Sequence, residues 1–235
     1  GTTASSANGD TTVSNVGAIV DAEMKSGTGD LTLTYIATAV AGTADSQNLT
    51  LANQTGGSFT AQGIETINVS STVAANTVTL VSAQLTTVNV SGSSNVNLGS
   101  VDFANATLAT SIDGTIDATN ATGAVSFTAA ADVYDVRGGS GNDTFTFGGN
   151  LGTSDVIDGN GGTDTVSMTG VAAITGSTYG LTDIETFQVT TAADGTSVVL
   201  NAAGMTGVST IRFDENVDTN NSGDENYTVN NLAAG

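Results

Sequence analysis

Apolar and polar residues alternate along most of this chain in short bursts, with Gly, Asn, Asp, Ser and Thr between them. The pattern runs through LTLTYI (31–36), NLTL (48–51), ETINVS (65–70), NTVTLV (76–81), TTVNVS (86–91) and NVNL (95–98). It continues in VSFT (125–128), DVYDVR (132–137), TFTF (144–147), DVID (155–158) and DTVSM (164–168). ETFQVT (185–190), TSVVL (196–200), STIRF (209–213) and NYTV (226–229) close the series. A period of two with β-branched and aromatic residues at the apolar positions predicts strands. One stretch reads differently. In TTVSNVGAIVDAEMK (11–25), Val13, Val16, Val20 and Met24 share one helical stripe, which predicts a short N-terminal helix.

The runs also repeat in kind. GIETINVS (63–70), QLTTVNVS (84–91), DIETFQVT (183–190) and GVSTIRFD (207–214) share the order apolar, x, Thr, apolar, x, apolar. Ile112, Tyr134 and Ile157 continue this series at similar steps. A second strand follows each by about ten residues, centred on Val78, Val96, Val125, Phe145, Val166 and Val198. Two short strands and two turns every 21–24 residues are what a parallel β-solenoid requires, because each coil buries its apolar side only by stacking on the next. The expected fold is therefore an all-β, right-handed parallel β-solenoid or β-roll. An antiparallel sandwich of similar strand spacing is the alternative. The absence of Pro suits ladders paired on both sides. Residues 1–30 read as a capping or connecting segment and 31–235 as the solenoid. The abrupt ends read as those of a piece of a longer chain.

Composition narrows the chemistry. The 235 residues carry 23 Asp plus Glu against three basic residues, a formal net charge of −20. Nucleic-acid binding needs a basic footprint that this chain lacks, and an anionic membrane surface would repel it. Because 38% of residues are hydrophobic and only 11% charged, a packed core is still expected. No apolar run is long enough for a membrane span, and no signal peptide is visible at Gly1. The chain has no Cys and no His, so a Ser–His triad, a thiolate nucleophile and an ordinary zinc or copper site are all excluded. What remains is oxygen: carboxylates, hydroxyls and carbonyls, the hard ligands that suit calcium.

Residues 138–146 read G-G-S-G-N-D-T-F-T and fit every position of the nonapeptide G-G-x-G-x-D-x-U-x. A second copy, G-N-G-G-T-D-T-V-S, starts 21 residues later at 159, with Asn160 in place of the second glycine. Here the chain resembles the calcium-binding repeats-in-toxin (RTX) family. In the first copy Gly138, Gly139 and Gly141 would free the backbone to turn its carbonyls, with that of Ser140, toward one point, and Asp143 would add a carboxylate. Gly159, Asn160, Gly161, Gly162 and Asp164 are their counterparts. One loop has too few oxygens for Ca2+, which takes about six to eight. The resemblance implies a sandwich, with the ion held between two stacked loops.

A weaker candidate is Asp218, Asn220 and Ser222, which match positions 1, 3 and 5 of a D-x-N-x-S-G loop. Position 12 is Val229 where an EF-hand has Glu, so a solvated acidic loop explains the stretch equally well. Asp155 and Asp158 could line a turn or support the site from behind.

Calcium here is expected to be structural, relieving the self-repulsion of a highly acidic chain and fixing its turns. Such a chain stays loose at low cytosolic calcium and folds after export, which implies an extracellular address. The RTX resemblance points to type I secretion. The IETxxVxx repeats and the acidic, Cys-free, Thr- and Asn-rich composition are similar to Gram-negative surface-layer (S-layer) proteins. That resemblance implies a non-enzymatic structural module that self-associates through calcium into a lattice or filament at the cell surface, in contact with surface polysaccharide. An adhesin segment would have the same chemistry. A calcium-dependent polysaccharide lyase would use Arg137 beside Asp135 or Arg212 beside Asp214, whose simpler reading is local ion pairing. Thr32/Thr34 and Thr77/Thr79 raise an ice-binding solenoid, but the T-x-T runs do not recur coil after coil along the sequence.

Overall fold

The computed structural model of the chain describes residues 3–6, 9–104, 111–170, 179–191, 198–215 and 227–231, and every regular element among them is a strand. The first ten are β1 (Thr3–Ser6), β2 (Thr11–Val16), β3 (Asp21–Gly27), β4 (Leu31–Tyr35), β5 (Ser46–Ala61), β6 (Thr66–Thr72), β7 (Asn76–Val81), β8 (Thr87–Gly92), β9 (Val96–Val101) and β10 (Gly114–Ala121). Then come β11 (Val125–Ala129), β12 (Tyr134–Arg137), β13 (Thr144–Gly148), β14 (Val156–Asp158), β15 (Thr165–Gly170), β16 (Gly180–Thr182), β17 (Thr186–Thr191), β18 (Val198–Asn201), β19 (Thr210–Glu215) and β20 (Tyr227–Asn230).

Every pairing among them is parallel. They form two long sheets wound as a β-solenoid of about nine turns. Sheet I stacks β1, β3, the first half of β5, then β6, β8, β10, β12, β14 and β16. Sheet II stacks β2, β4, the second half of β5, then β7, β9, β11, β13, β15, β17 and β19. β18 and β20 pair separately with each other.

Many coils keep the expected length: Thr66 pairs with Thr87 and Phe145 with Val166, 21 residues on in each case. Longer steps occur where a turn carries an insertion. Ala22 pairs with Leu49 across residues 36–45, and Val88 with Ile116 across 102–113. Extra length at a turn leaves the ladder register intact and costs little, because loop closure grows slowly with length.

Inward positions alternate with outward ones along each strand, and the inward set is one continuous core. Ile67, Val88, Ile116, Val136 and Ile157 line up behind sheet I, each at most 1% exposed. Phe127, Phe145, Val166 and Phe187 do so behind sheet II. Burying one such side chain stabilises by about 1.5–3 kcal/mol, and each coil contributes several. Phe103, Phe127, Tyr134, Phe145 and Phe147 form an aromatic cluster in mid-stack, with ring centroids 5.3–6.0 Å apart. On the outer side of sheet I, an amide ladder joins successive coils. Asn89 Nδ2 donates to Asn68 Oδ1 at 2.8 Å and Asn68 Nδ2 to Asn48 Oδ1 at 3.0 Å.

The helix expected over 11–25 is not formed: β2 and β3 occupy that stretch, one in each sheet. Asn15 takes φ 57° and Gly17 follows, so the chain breaks where a helix would need to continue. Met24 is fully buried by alternation with Ala22, a period of two that the helical stripe had disguised. The stacking thus begins before residue 31.

The C-terminal repeats also differ in phase from the sequence reading. GIETINVS and QLTTVNVS enter sheet I, whereas DIETFQVT and GVSTIRFD enter sheet II. Ile112 lies before β10 and is exposed, with Ile116 filling the core in its place. Val198 belongs to neither long sheet.

Candidate metal centre

The turns that lead from sheet I into sheet II hold both nonapeptide loops. Residues 138–143 connect β12 to β13, residues 159–164 connect β14 to β15, and the strands on either side pair in register. The two loops therefore lie on adjacent coils at one corner. Gly138, Gly139, Ser140, Gly141 and Asp143 face Gly159, Asn160, Gly161, Gly162 and Asp164 across that step, with Gly161 N donating to Gly139 O at 3.1 Å and Asn160 Nδ2 to Gly138 O at 2.7 Å. Asp218, Asn220 and Ser222 lie outside the described residues.

The Asp of each loop belongs to a longer column. At or just before many of the sheet II strands, a side-chain oxygen reaches an adjacent coil and accepts a backbone N–H. Asp10 Oδ1 accepts from Asp30 N, Asp30 Oδ1 from Ser58 N, Asn76 Oδ1 from Gln54 N and Asn95 Oδ1 from Ala124 N, at 2.7–3.0 Å. Asp143 Oδ1 accepts from Val125 N, Asp164 Oδ1 from Asp143 N and Glu185 Oε2 from Asp164 N, each at 2.7 Å. Turn amides that no ladder satisfies are satisfied here by Asp, Asn or Glu. Asp143 and Asp164, at position six of the two nonapeptides, are thus capping residues, as is Glu185 one coil on.

The glycines act chiefly through size. None of Gly138, Gly139 and Gly141 has a positive φ, contrary to the freedom expected of them; in the second loop Asn160 (φ 59°) and Gly162 (φ 137°) do. Asn tolerates the left-handed region well, which accounts for its standing where the pattern has glycine. A Cβ on Gly138 would lie 2.4 Å from Gly159 O and 2.6 Å from Asp143 Oδ2. One coil on, a Cβ on Gly159 would lie 2.1 Å from Asp183 O and 2.5 Å from Asp164 Oδ2. Each glycine therefore faces one carbonyl and one carboxylate oxygen, and the cradle repeats with the coil.

The two cradles differ in one respect. Asp143 Oδ2 accepts the N–H of Gly139 at 2.8 Å, so both its oxygens are hydrogen-bonded. Asp164 is fully buried, and its Oδ2 has no hydrogen-bond partner. Burial pushes both carboxyls above the usual range. For Asp164 the negative charges of Asp143, Glu185 and Asp183 add to burial, and its pKa is raised to about 6. No base answers these acids. Lys25, Arg137 and Arg212 are paired with Glu23, Asp135 and Asp214, each two residues away on its own strand. Arg137 and Arg212 stand on different sheets, so they share no site.

These residues fit a hard cation in part. The orphaned Asp164 Oδ2, the glycine cradles and an all-oxygen donor set match what calcium takes. Among the described residues no three acidic side chains converge on one point, so backbone carbonyls such as Gly159 O and Asp183 O would have to supply the remaining ligands. Asp183 and Glu185 were missed in the sequence because DIETF lacks the glycines. The 21-residue step from Asp143 to Asp164 to Glu185 was the available signal.

Asp158 Oδ1 accepts from Asn160 N at 2.9 Å and so steadies the second loop. Asp155 sits at the opposite corner, capping Tyr134 N and Gly152 N at 2.8 and 2.7 Å. Asp132 and Asp113 cap Phe103 N and Val133 N at that same corner. No family model, no curated protein and no solved structure matches the chain.

Proposed function

We propose that the chain is a calcium-stabilised structural module of a bacterial surface layer or surface filament, exported and folded outside the cell. The observation that carries this reading is the corner at 138–185. Asp143, Asp164, Asp183 and Glu185 are stacked there without a basic partner, around glycine cradles and one buried, unpartnered carboxylate oxygen. A divalent ion would neutralise that column, and it would do so only where free calcium is plentiful, as outside the cell. The remaining side chains support a role in architecture. The basic groups are all engaged in ion pairs, and the stacked ladders give a long, regular rod suited to lateral and end-to-end contacts.

The test is a calcium titration of the chelated chain, followed by circular dichroism, with electron microscopy of the same samples. β-Structure that forms or sharpens with calcium, followed by ordered arrays, is the expected result. A spectrum and a melting curve indifferent to chelator would remove calcium from the reading. Cleavage of an acidic polysaccharide without assembly would remove the structural role.

A further inference from the structure

The charge of this chain is unevenly placed. From β2 to β17, the strands of sheet II contain no Asp, Glu, Lys or Arg. Sheet I displays Asp21, Glu23, Lys25, Asp117, Asp135 and Arg137, and the turns carry many of the remaining acids. On a chain of net charge −20, this side is therefore neutral from β2 to β17, with charge returning only at β19 in Arg212, Asp214 and Glu215.

That side is also ordered. Ser126 and Thr128, Thr144 and Thr146, and Thr165 and Ser167 are outward pairs on three consecutive coils. Ser126 stands in register with Thr144 and Thr144 with Thr165, while Thr128 meets Thr146 and Thr146 meets Ser167. The runs that looked sporadic along the sequence become ranks once the coils are stacked and Ser stands beside Thr. Ladder geometry spaces these hydroxyls by about 4.8 Å across strands and about 6.6 Å along them.

Resting on the surface-module reading, we propose that the neutral outer face of sheet II is a homotypic contact surface, on which a second copy of this chain packs. Like charges oppose the approach of two such chains least over these nine strands. Interface centres are depleted of charge, and hydroxyls both donate and accept, so a face of this kind is complementary to itself about a twofold axis. Nine strands at ladder spacing make a strip about 40 Å long and about 13 Å wide. Two copies would bury about 1,000 Å² in total, the lower limit of a specific interface. The contact is therefore weak for a pair and suited to repeated use in an array.

The test uses the full chain in calcium, with folding checked by circular dichroism at every step. Sedimentation velocity should show association that rises with protein concentration and strengthens as NaCl is raised, since salt screens the global repulsion and the face has no ion pairs to lose. The double variant Thr146→Glu/Thr165→Glu should shift the association midpoint at least tenfold, and Ser126→Glu alone should shift it in the same direction. Thr66→Glu/Ser91→Glu on sheet I should leave it unchanged. Equal loss from the sheet I variants, no loss from the sheet II variants, or a folded chain that stays monomeric throughout would each overturn the proposal. So would a monomer that shapes growing ice crystals, which would identify ordered water as the occupant. A chain that folds without calcium yet associates through this face would sink the calcium reading and leave this one standing.

Discussion

Asp164 carries two roles that substitution can separate. Its Oδ1 holds the amide of Asp143 on the neighbouring coil, and its Oδ2 is buried without a partner. Asp164→Asn keeps an oxygen for the amide and removes the buried charge. In chelator it should match or exceed the wild type in denaturant midpoint, while its calcium response falls at least tenfold. Asp164→Ala also abandons the Asp143 amide, and should cost about 1–3 kcal/mol with or without calcium. Urea titrations of both variants in calcium and in chelator decide the matter. The glycines admit an equally sharp contrast. Gly138→Ala would drive a methyl to 2.4 Å from Gly159 O, which is backbone and cannot swing away, so a loss of about 2–4 kcal/mol is expected. Gly149→Ala, with nothing within 4 Å and no positive φ, should be neutral or slightly stabilising by thermal melting.

At the scale of elements, coils are fastened by contacts that skip between turns. Tyr134 in β12 donates its hydroxyl hydrogen to Val101 O at the end of β9, at 2.6 Å, and accepts from Ala130 N at 2.7 Å. The ring is wholly buried and burial raises its pKa. Ala130 N also donates to Val101 O at 3.2 Å, so Tyr134→Phe removes the hydroxyl's two bonds but leaves that one, and should lower stability by about 1 kcal/mol in a denaturant series while the calcium midpoint holds. The strands themselves were legible in the sequence, because one buried face per strand imposes a period of two on residues such as Ile67/Val69 and Phe145/Phe147. The assignment of strands to sheets was less so. ETFQVT and ETINVS look alike but lie on opposite sheets, since turn length sets the phase and the length of a turn does not announce itself in the sequence. At the site, the glycine loops were readable by motif. The acids of Asp183 and Glu185, and the capping work of Asp143, depended on which backbone amides the stacking leaves bare.

For the molecule as a whole, the buried acids set the response to pH. Burial pushes Asp132, Asp143, Asp155 and Asp164 upward, the last to about 6. A raised carboxyl favours the native state while it is protonated, and that contribution is lost as pH rises through the native value. Without divalent ions the chain should therefore melt higher at pH 5 than at pH 7.5, and calcium should flatten the difference; calorimetry at the two pH values in chelator and in calcium checks this. Asp117, held low by its hydrogen bonds to Thr119, works in the opposite sense only in stronger acid.

One feature of the winding bears on how such a rod would carry load. β5 runs for 16 residues through both sheets and rounds the corner between them on a bulge, where the register shifts between Thr55 and Ser58 and Asn53 and Gly57 take positive φ. Elsewhere the chain leaves the ladder between one sheet and the next, and a pull on the N-terminus can open those turns one at a time. At β5 the corner is a bulge and not a full turn, so there is little slack to draw out before both rungs part. Peeling that starts at the N-terminus would slow there, so this rung shields the candidate metal corner further along.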